Sequence, residues 1–407
     1  LGSALRFVGV MQRLHQSPTD PAFVQDPYAT YDRARAMGPL VWWEEYGMPA
    51  AFGLDFVQAL LKDRRFGRAP VSPPPVRPHL EAFDAVEAHS MLDLEPPVHT
   101  RLRGLVLRAF TSRRVAALAP EIEALAHELI DAFPAHGPVD LIPAFATRLP
   151  VIIIARLLGV PEDRADDLLA WSNAMVAMYQ ARRDRAVEDA ANAAAAAFTA
   201  FLRDHIEARR ARPADDLLTH LIAAEEDGAR LSTDEMIGTC ILLLNAGHEA
   251  TVHTIGNGVK AALESGTASA FADPDCDNAV EEVLRFDPPL HIFTRIASEP
   301  VTIADHDFVR GDEVALVLGA ANRDPAGWER PGIFDPTRAP RLSTSFGGGI
   351  HFCLGAPLAR LELKIALHAL FTRLPDLRLA GTPRYANLYH FHGLERLDVT
   401  WGARTGR

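Results

Sequence analysis

Ser345-Phe346-Gly347-Gly348-Gly349-Ile350-His351-Phe352-Cys353-Leu354-Gly355 is the stretch around which the rest of this chain arranges itself. Three successive glycines permit backbone angles closed to other residues and leave a nearly side-chain-free surface that a flat body can approach. Cys353 precedes a segment of helical period, with Leu354, Leu358, Leu361 and Ile365 as its apolar stripe. A sulfur at that place meets the free amides and positive dipole end of a helix, which stabilise a thiolate. A buried structural cysteine beside a glycine turn is the plain alternative, because free cysteine is commonly just buried.

Outward from this loop, helices dominate. Periodicity predicts helices over 27–37, 55–62, 97–110, 115–133, 144–158, 164–179 and 184–210. Residues 69–78 hold five prolines and form a long loop. Ser232-Thr233-Asp234-Glu235 is a capping box that opens a long helix to about Leu263. Asp277 to Phe286 is a shorter helix stopped by Pro288-Pro289, and strand alternation starts only at Ile292, with strands near 301–303 and 314–318. Shorter strands flank a turn at Tyr46-Gly47, and the tail over 384–401 is loop and strand. The fold class is mainly α with a minor β region, in one domain over 1–407, and no βαβ alternation points to a doubly wound sheet.

Inside the long helix lies Ala246-Gly247-His248-Glu249-Ala250-Thr251. A glycine within an apolar helix costs about 1 kcal/mol against alanine. It either opens room beside an acid or serves an ordinary close helix contact. His248 and His253 are five apart, not the four that sets two metal ligands on one face, which excludes a metalloprotease site. Glu282 and Arg285 are three apart on one helix face, and His99 and Arg103 four apart on another.

Composition narrows the remaining options. The 407 residues are 48% hydrophobic and 23% charged, ample for a large core. The formal net charge of -12 argues against a nucleic-acid partner. No run of about 18 apolar residues would span a bilayer. The cysteines are Cys240, Cys276 and Cys353, an odd and scattered set that points to a reducing, cytoplasmic setting. Cys240 reads as a core residue and Cys276 as a loop residue. Lysine occurs only at Lys62, Lys260 and Lys364. Arg101, Arg108, Arg113 and Arg114, with Arg360 and Lys364, form a candidate basic patch for steering an acidic electron donor.

Phe346-x-x-Gly349-x-x-x-Cys353-x-Gly355, with His351 and Leu354, resembles the haem-binding signature of the cytochrome P-450 monooxygenases. Ala246–Thr251 resembles that family's oxygen-binding helix, and Glu282-x-x-Arg285 its structural pair, in the family's order along nearly the whole chain. The resemblance implies haem b, held between the long helix and the helix after the cysteine, with Cys353 as axial ligand and Phe346, Gly349 and Gly355 shaping the loop. It implies propionate contacts from His99, Arg103, Arg295 and His351, and a brace of Glu282, Arg285 and Arg338. Glu249 is implied as the acid of a proton path, Gly247 as part of the oxygen groove, and Thr251 as its neighbour. The family usually has threonine directly after the acid. Here Ala250 stands there, and Thr251 is turned about 100° around the helix. Family position places Ala246, Leu290, His291, Phe293, Tyr389, His390 and Phe391, with residues 86–92, at the substrate. The implied reaction inserts one oxygen atom from dioxygen into a mainly apolar small molecule. Electrons come from NAD(P)H through a separate ferredoxin or flavodoxin and its reductase, because the chain carries no dinucleotide or iron–sulfur motif. A peroxide-driven oxygenase and a non-catalytic haem-thiolate recruitment protein are the two rivals.

Overall fold

The computed structural model describes residues 11–406 apart from 73–74, 136, 180–182, 227, 340, 389–390 and 403. Its longest element is the helix Thr233–Ser265, about 50 Å long at 1.5 Å per residue. The expected capping box opens it: the Glu235 amide donates to the Ser232 hydroxyl at 3.1 Å, and the Ser232 amide to the Glu235 carboxylate at 2.9 Å. It closes on Gly266 at φ 68°, a left-handed cap that glycine adopts without Cβ strain.

Arg148–Leu157, Ala165–Val176, Asp277–Phe286 and Ala356–Arg373 pack around this helix and share with it the largest apolar core. At Gly258 a Cβ would stand 2.8 Å from Val283, so the missing side chain lets Asp277–Phe286 lie close. The alanine-rich Arg185–Ala211 is a packed helix, its buried stripe running through Ala191, Ala195, Phe198, Leu202 and Ile206. The helix expected over 115–133 is two, Ser112–Ala117 and Ala119–Asp131. Pro120 has no amide to continue the first helix and starts the second instead. The segment before Arg148 is a π-helical turn, Ile142–Ala146. Leu217–Ala223, capped by Asp216, is a further short helix absent from the expectation.

Six strands form the main sheet, in the order Arg13–Leu14, Val41–Trp43, Met48–Ala51, Glu313–Val317, Ile292–Ala297 and Phe66–Gly67. Along Glu313–Val317, Val314 and Leu316 enter one apolar cluster while Ala315 and Val317 enter another, as the two-residue period of a strand requires. The edge strand Phe66–Gly67 pairs Gly67 with Ile296. That short pairing sets Arg68 next to Arg295. Among the described residues no helix is long and apolar enough to cross a membrane.

Candidate active site

The glycine loop is folded by its own backbone. Gly347 donates to Thr344 at 2.8 Å and Cys353 to Phe346 at 3.0 Å, with Gly347 and Gly349 at φ 69° and 68°. The following helix begins at Ala356, two residues later than Leu354, where the sequence pattern starts it. Burial pushes the Cys353 thiol up. The Gly355 amide, Arg103 and the Ala356 amide pull it back, without outweighing burial. The expected thiolate is therefore not a property of the loop by itself, and a metal ion bound there would displace the thiol proton.

The Glu282–Arg285 pair lies directly beneath the loop. Both side chains are about 1% exposed, and Arg285 grips Glu282 through Nε and Nη2 at 2.7 Å each. Arg338 Nε adds a bond to Glu282 Oε2 at 3.1 Å, and the Asp335 amide one to Oε1 at 2.8 Å. Arg285 Nη1 also donates to the carbonyls of Asn322 at 3.0 Å and Pro331 at 2.9 Å. Asn322 then donates to the Ser345 hydroxyl at 2.8 Å and receives the Thr344 amide at 2.8 Å. A continuous bonded path thus runs from Glu282 to Ser345, the first residue of the loop. Asn322 and Ser345 carry the brace of Glu282, Arg285 and Arg338 into the loop.

At the loop's flank, cations gather. Arg295 is 1% exposed, and its recorded hydrogen bond is Nη1 to the Thr294 carbonyl at 2.9 Å. Burial, then Arg68, pulls its guanidinium down to about 10 against the opposing pull of Glu95. His99 and His351 have ring centroids 4.4 Å apart. Burial, His351 and Arg103 pull His99 down to about 4, and its Nδ1 is buried without a hydrogen-bond partner. Arg103 donates to the Phe352 carbonyl at 2.7 Å. Glu95 holds His351 at 3.1 Å and the Arg68 amide at 2.6 Å, and Asp93 stands 3.5 Å from Arg68 Nε. Two carboxylates therefore face Arg68, His99, Arg103, Arg295 and His351. Buried cations persist when an anion joins them, and a ligand carrying two carboxylates fits this cluster. Arg68 and Glu95 were not foreseen in the sequence.

Across from the loop, the long helix has one open face. Leu242, Leu243, Ala246, Glu249 and Ala250 recur at helical spacing and retain exposure, whereas the helix from Thr251 to Val259 is buried. A Cβ at Gly247 would stand 3.1 Å from Ile154 Cδ1, so this glycine allows a close helix contact while itself staying half-exposed beside Ala246. Thr251 donates its hydroxyl to the Gly247 carbonyl at 2.8 Å and is buried, so its hydroxyl is engaged in the helix.

The substrate-contact set is divided. Leu290 pairs with Phe391, whose ring centroid lies 5.4 Å from His253 at the end of the open face. Phe293 packs on the glycine loop, 3.1 Å from where a Cβ of Gly347 would be, under the Arg68 guanidinium. His291 is a correction. It is buried, and Tyr31 meets its Nδ1 at 3.0 Å within a network of Asp287, Tyr28 and His392. Tyr389 and His390 lie outside the described residues.

Asp287, His291 and His392 come close enough to suggest a metal centre. Tyr28 and Tyr385 occupy the two Asp287 oxygens, however, and Arg323 stacks 3.4 Å over the Tyr28 ring and supplies the countercharge. The cluster is a charge-balanced buried network.

Half of the expected basic patch is paired with carboxylates. Arg101 pairs with Glu235, Arg360 with Glu281, and Lys364 with Asp277 at 2.8 Å and Asp275 at 3.2 Å. Cys276 stands in the loop just before Asp277–Phe286, as expected, and is buried there, with its thiol pushed up to about 11 by burial.

A cysteine presented by a flat glycine loop, a cluster of cations beside it and a partly uncovered face of the long helix together fit a haem-thiolate protein. Comparison gives the same result. The cytochrome P450 family model matches residues 274–375. The chain is 38% identical to the cytochrome P450 monooxygenase PikC of Streptomyces venezuelae, over 94% of each chain. It is 38% identical to the vitamin D(3) 25-hydroxylase of Pseudonocardia autotrophica, over 94% of this chain and 96% of that one. The solved structure of P450BioI in complex with an acyl carrier protein carrying hexadec-9Z-enoic acid superposes with TM-score 0.88 at 35% identity. It covers 94% of this chain and all of the other. The chain belongs to the cytochrome P450 family. It is a monooxygenase that uses haem b, receives electrons from redox partners and oxidises a small organic substrate.

Proposed function

We propose that this enzyme hydroxylates a bulky, mostly apolar substrate carrying at least one hydroxyl or carbonyl, and that part of its proton supply passes through Glu249. The single observation that carries this reading is Ala250 on the open helix face, directly after the acid and with no hydroxyl to offer. Relatives named for vitamin D(3) and for 6-deoxyerythronolide B hydroxylation point to the same size class. Cys353 would hold the haem iron through its sulfur, and Arg68, His99, Arg103, Arg295 and His351 would hold the propionates. Bound haem supplies the reductive activation of dioxygen. The residues around it position the substrate along Leu242, Leu243, Ala246 and Ala250, keep water off that apolar face, and bring a carboxylate to its edge. A substrate hydroxyl or an ordered water fills the place where a threonine hydroxyl would be. Electrons arrive from a cytoplasmic ferredoxin or flavodoxin and its reductase, since no nicotinamide or iron–sulfur motif is present in the chain.

The test is a titration of the ferric enzyme with macrolactones, sterols including vitamin D(3), and long-chain fatty acids, read as the low- to high-spin shift. A shift with an oxygenated macrolactone or sterol, and turnover with ferredoxin but not with hydrogen peroxide, is the expected result. A shift with none of them except unfunctionalised chains, or faster turnover with peroxide, would overturn it. Ala250→Thr measured with the shifting substrate is expected to leave product per electron unchanged or lower. A sharp rise would mean that the hydroxyl was merely absent and nothing had replaced it.

A further inference from the structure

The monooxygenase reading leaves unused a histidine one turn beyond the acid. His253 Nε2 lies 3.4 Å from Glu249 Oε1, the i,i+4 neighbour on the same helix face. Neither ring nitrogen of His253 has a hydrogen-bond partner, and the side chain is only 7% exposed while that of Glu249 is 21% exposed. The ring is seated deliberately. A Cβ on Gly393 would fall 1.9 Å from its Nδ1, so only glycine at 393 leaves room for it, and Phe391 covers its flank. We propose that His253 is the positioning residue for Glu249, turning the carboxylate along the helix and forming with it a two-group proton store beside the Ala250 gap.

Among the described residues, the groups recorded against this pair are few. From the helix, His248 Nδ1 stands 3.7 Å from Glu249 Oε2. Phe391 and Gly393 from the tail bring no charge. Burial pushes the Glu249 carboxyl up, yet His253, then His248, more than offset this and hold it below its ordinary value. An acid held ionised is a poor proton donor alone, whereas histidine is the side chain suited to exchange protons near neutral pH. In the transfer, the N–H bond at His253 Nε2 breaks and an O–H bond forms at Glu249 Oε1, leaving neutral imidazole and neutral carboxyl. Glu249 passes that proton to water at its exposed edge, and a proton from solvent returns by the reverse route to restore the pair.

This inference rests on the monooxygenase reading, and the test separates the two. The carboxyl carbons of glutamate are labelled with 13C in the haem-loaded, ferrous carbon monoxide complex, and the Glu249 signal is assigned by its loss in Glu249→Gln. Loss of haem or of thiolate ligation would strike the monooxygenase reading itself. In haem-loaded protein, His253→Phe is expected to raise the proton affinity of Glu249 by about tenfold or more, because burial is then less opposed. His253→Gln, which keeps a donor without the charge, should fall between. If His253→Phe does not fold, His253→Gln is compared with wild type by itself, and the proton affinity of Glu249 should still rise, by less than tenfold. A Glu249 signal that titrates identically in wild type and in every folded His253 variant would overturn the proposal.

Discussion

An Arg285→Ala protein is expected to emerge from expression without haem. Removing one partner of a buried ion pair leaves the other charge uncompensated and costs about 3–5 kcal/mol. Here the loss extends further, because Arg285 also binds the carbonyls of Asn322 and Pro331. Asn322 is the residue that fixes Thr344 and Ser345, so the disturbance reaches the root of the cysteine loop. Haem content per protein and the melting temperature measure the effect together. A haem-loaded Arg285→Ala protein melting with wild type would remove the brace from the account.

The second large effect belongs to Gly349→Ala. At φ 68° an L side chain costs about 1–2 kcal/mol. The new Cβ would also stand 2.5 Å from the Leu61 carbonyl oxygen and 3.3 Å from the Lys62 Cα. Both are backbone atoms, so neither can swing aside. Gly355→Ala is the internal control. Its φ is -79°, and its Cβ would meet Cys353 Sγ at an ordinary 3.9 Å. Gly349→Ala is expected to lose most of its haem and Gly355→Ala to keep it. Equal haem content in the two variants would show that the loop does not depend on the backbone angle at 349.

What the sequence made legible was local. The capping box at Ser232 and the glycine loop were readable because the atoms that bond are three to ten residues apart. The Glu282–Arg285 pair was visible as spacing, but its burial and its third member depend on how residues 331–338 fold back over the helix. Arg68 was hidden because a strand of two residues, Phe66–Gly67, carries it to Arg295, and so short a strand leaves no periodic signal. The pairing of half the basic patch was hidden for a related reason. Arg101, Arg360 and Lys364 meet Glu235, Glu281, Asp275 and Asp277, partners more than 75 residues away in the chain. Gly247 was legible as an anomaly, and only the packed structure shows that Ile154 explains it. The His248–Glu249–His253 spacing does not match a metal pair, yet the i,i+4 pairing of Glu249 with His253 that it contains carries the most individual feature of the site.

The central claim is that Cys353 gives haem iron a thiolate ligand despite burial that favours the thiol. The direct measurement is the carbon monoxide difference spectrum of the dithionite-reduced protein. Thiolate ligation predicts the strongly red-shifted Soret band that a sulfur anion opposite carbon monoxide produces, abolished in Cys353→Ala. A Soret band at the position of a neutral nitrogen ligand in freshly prepared wild-type protein, unchanged in Cys353→Ala, would contradict it.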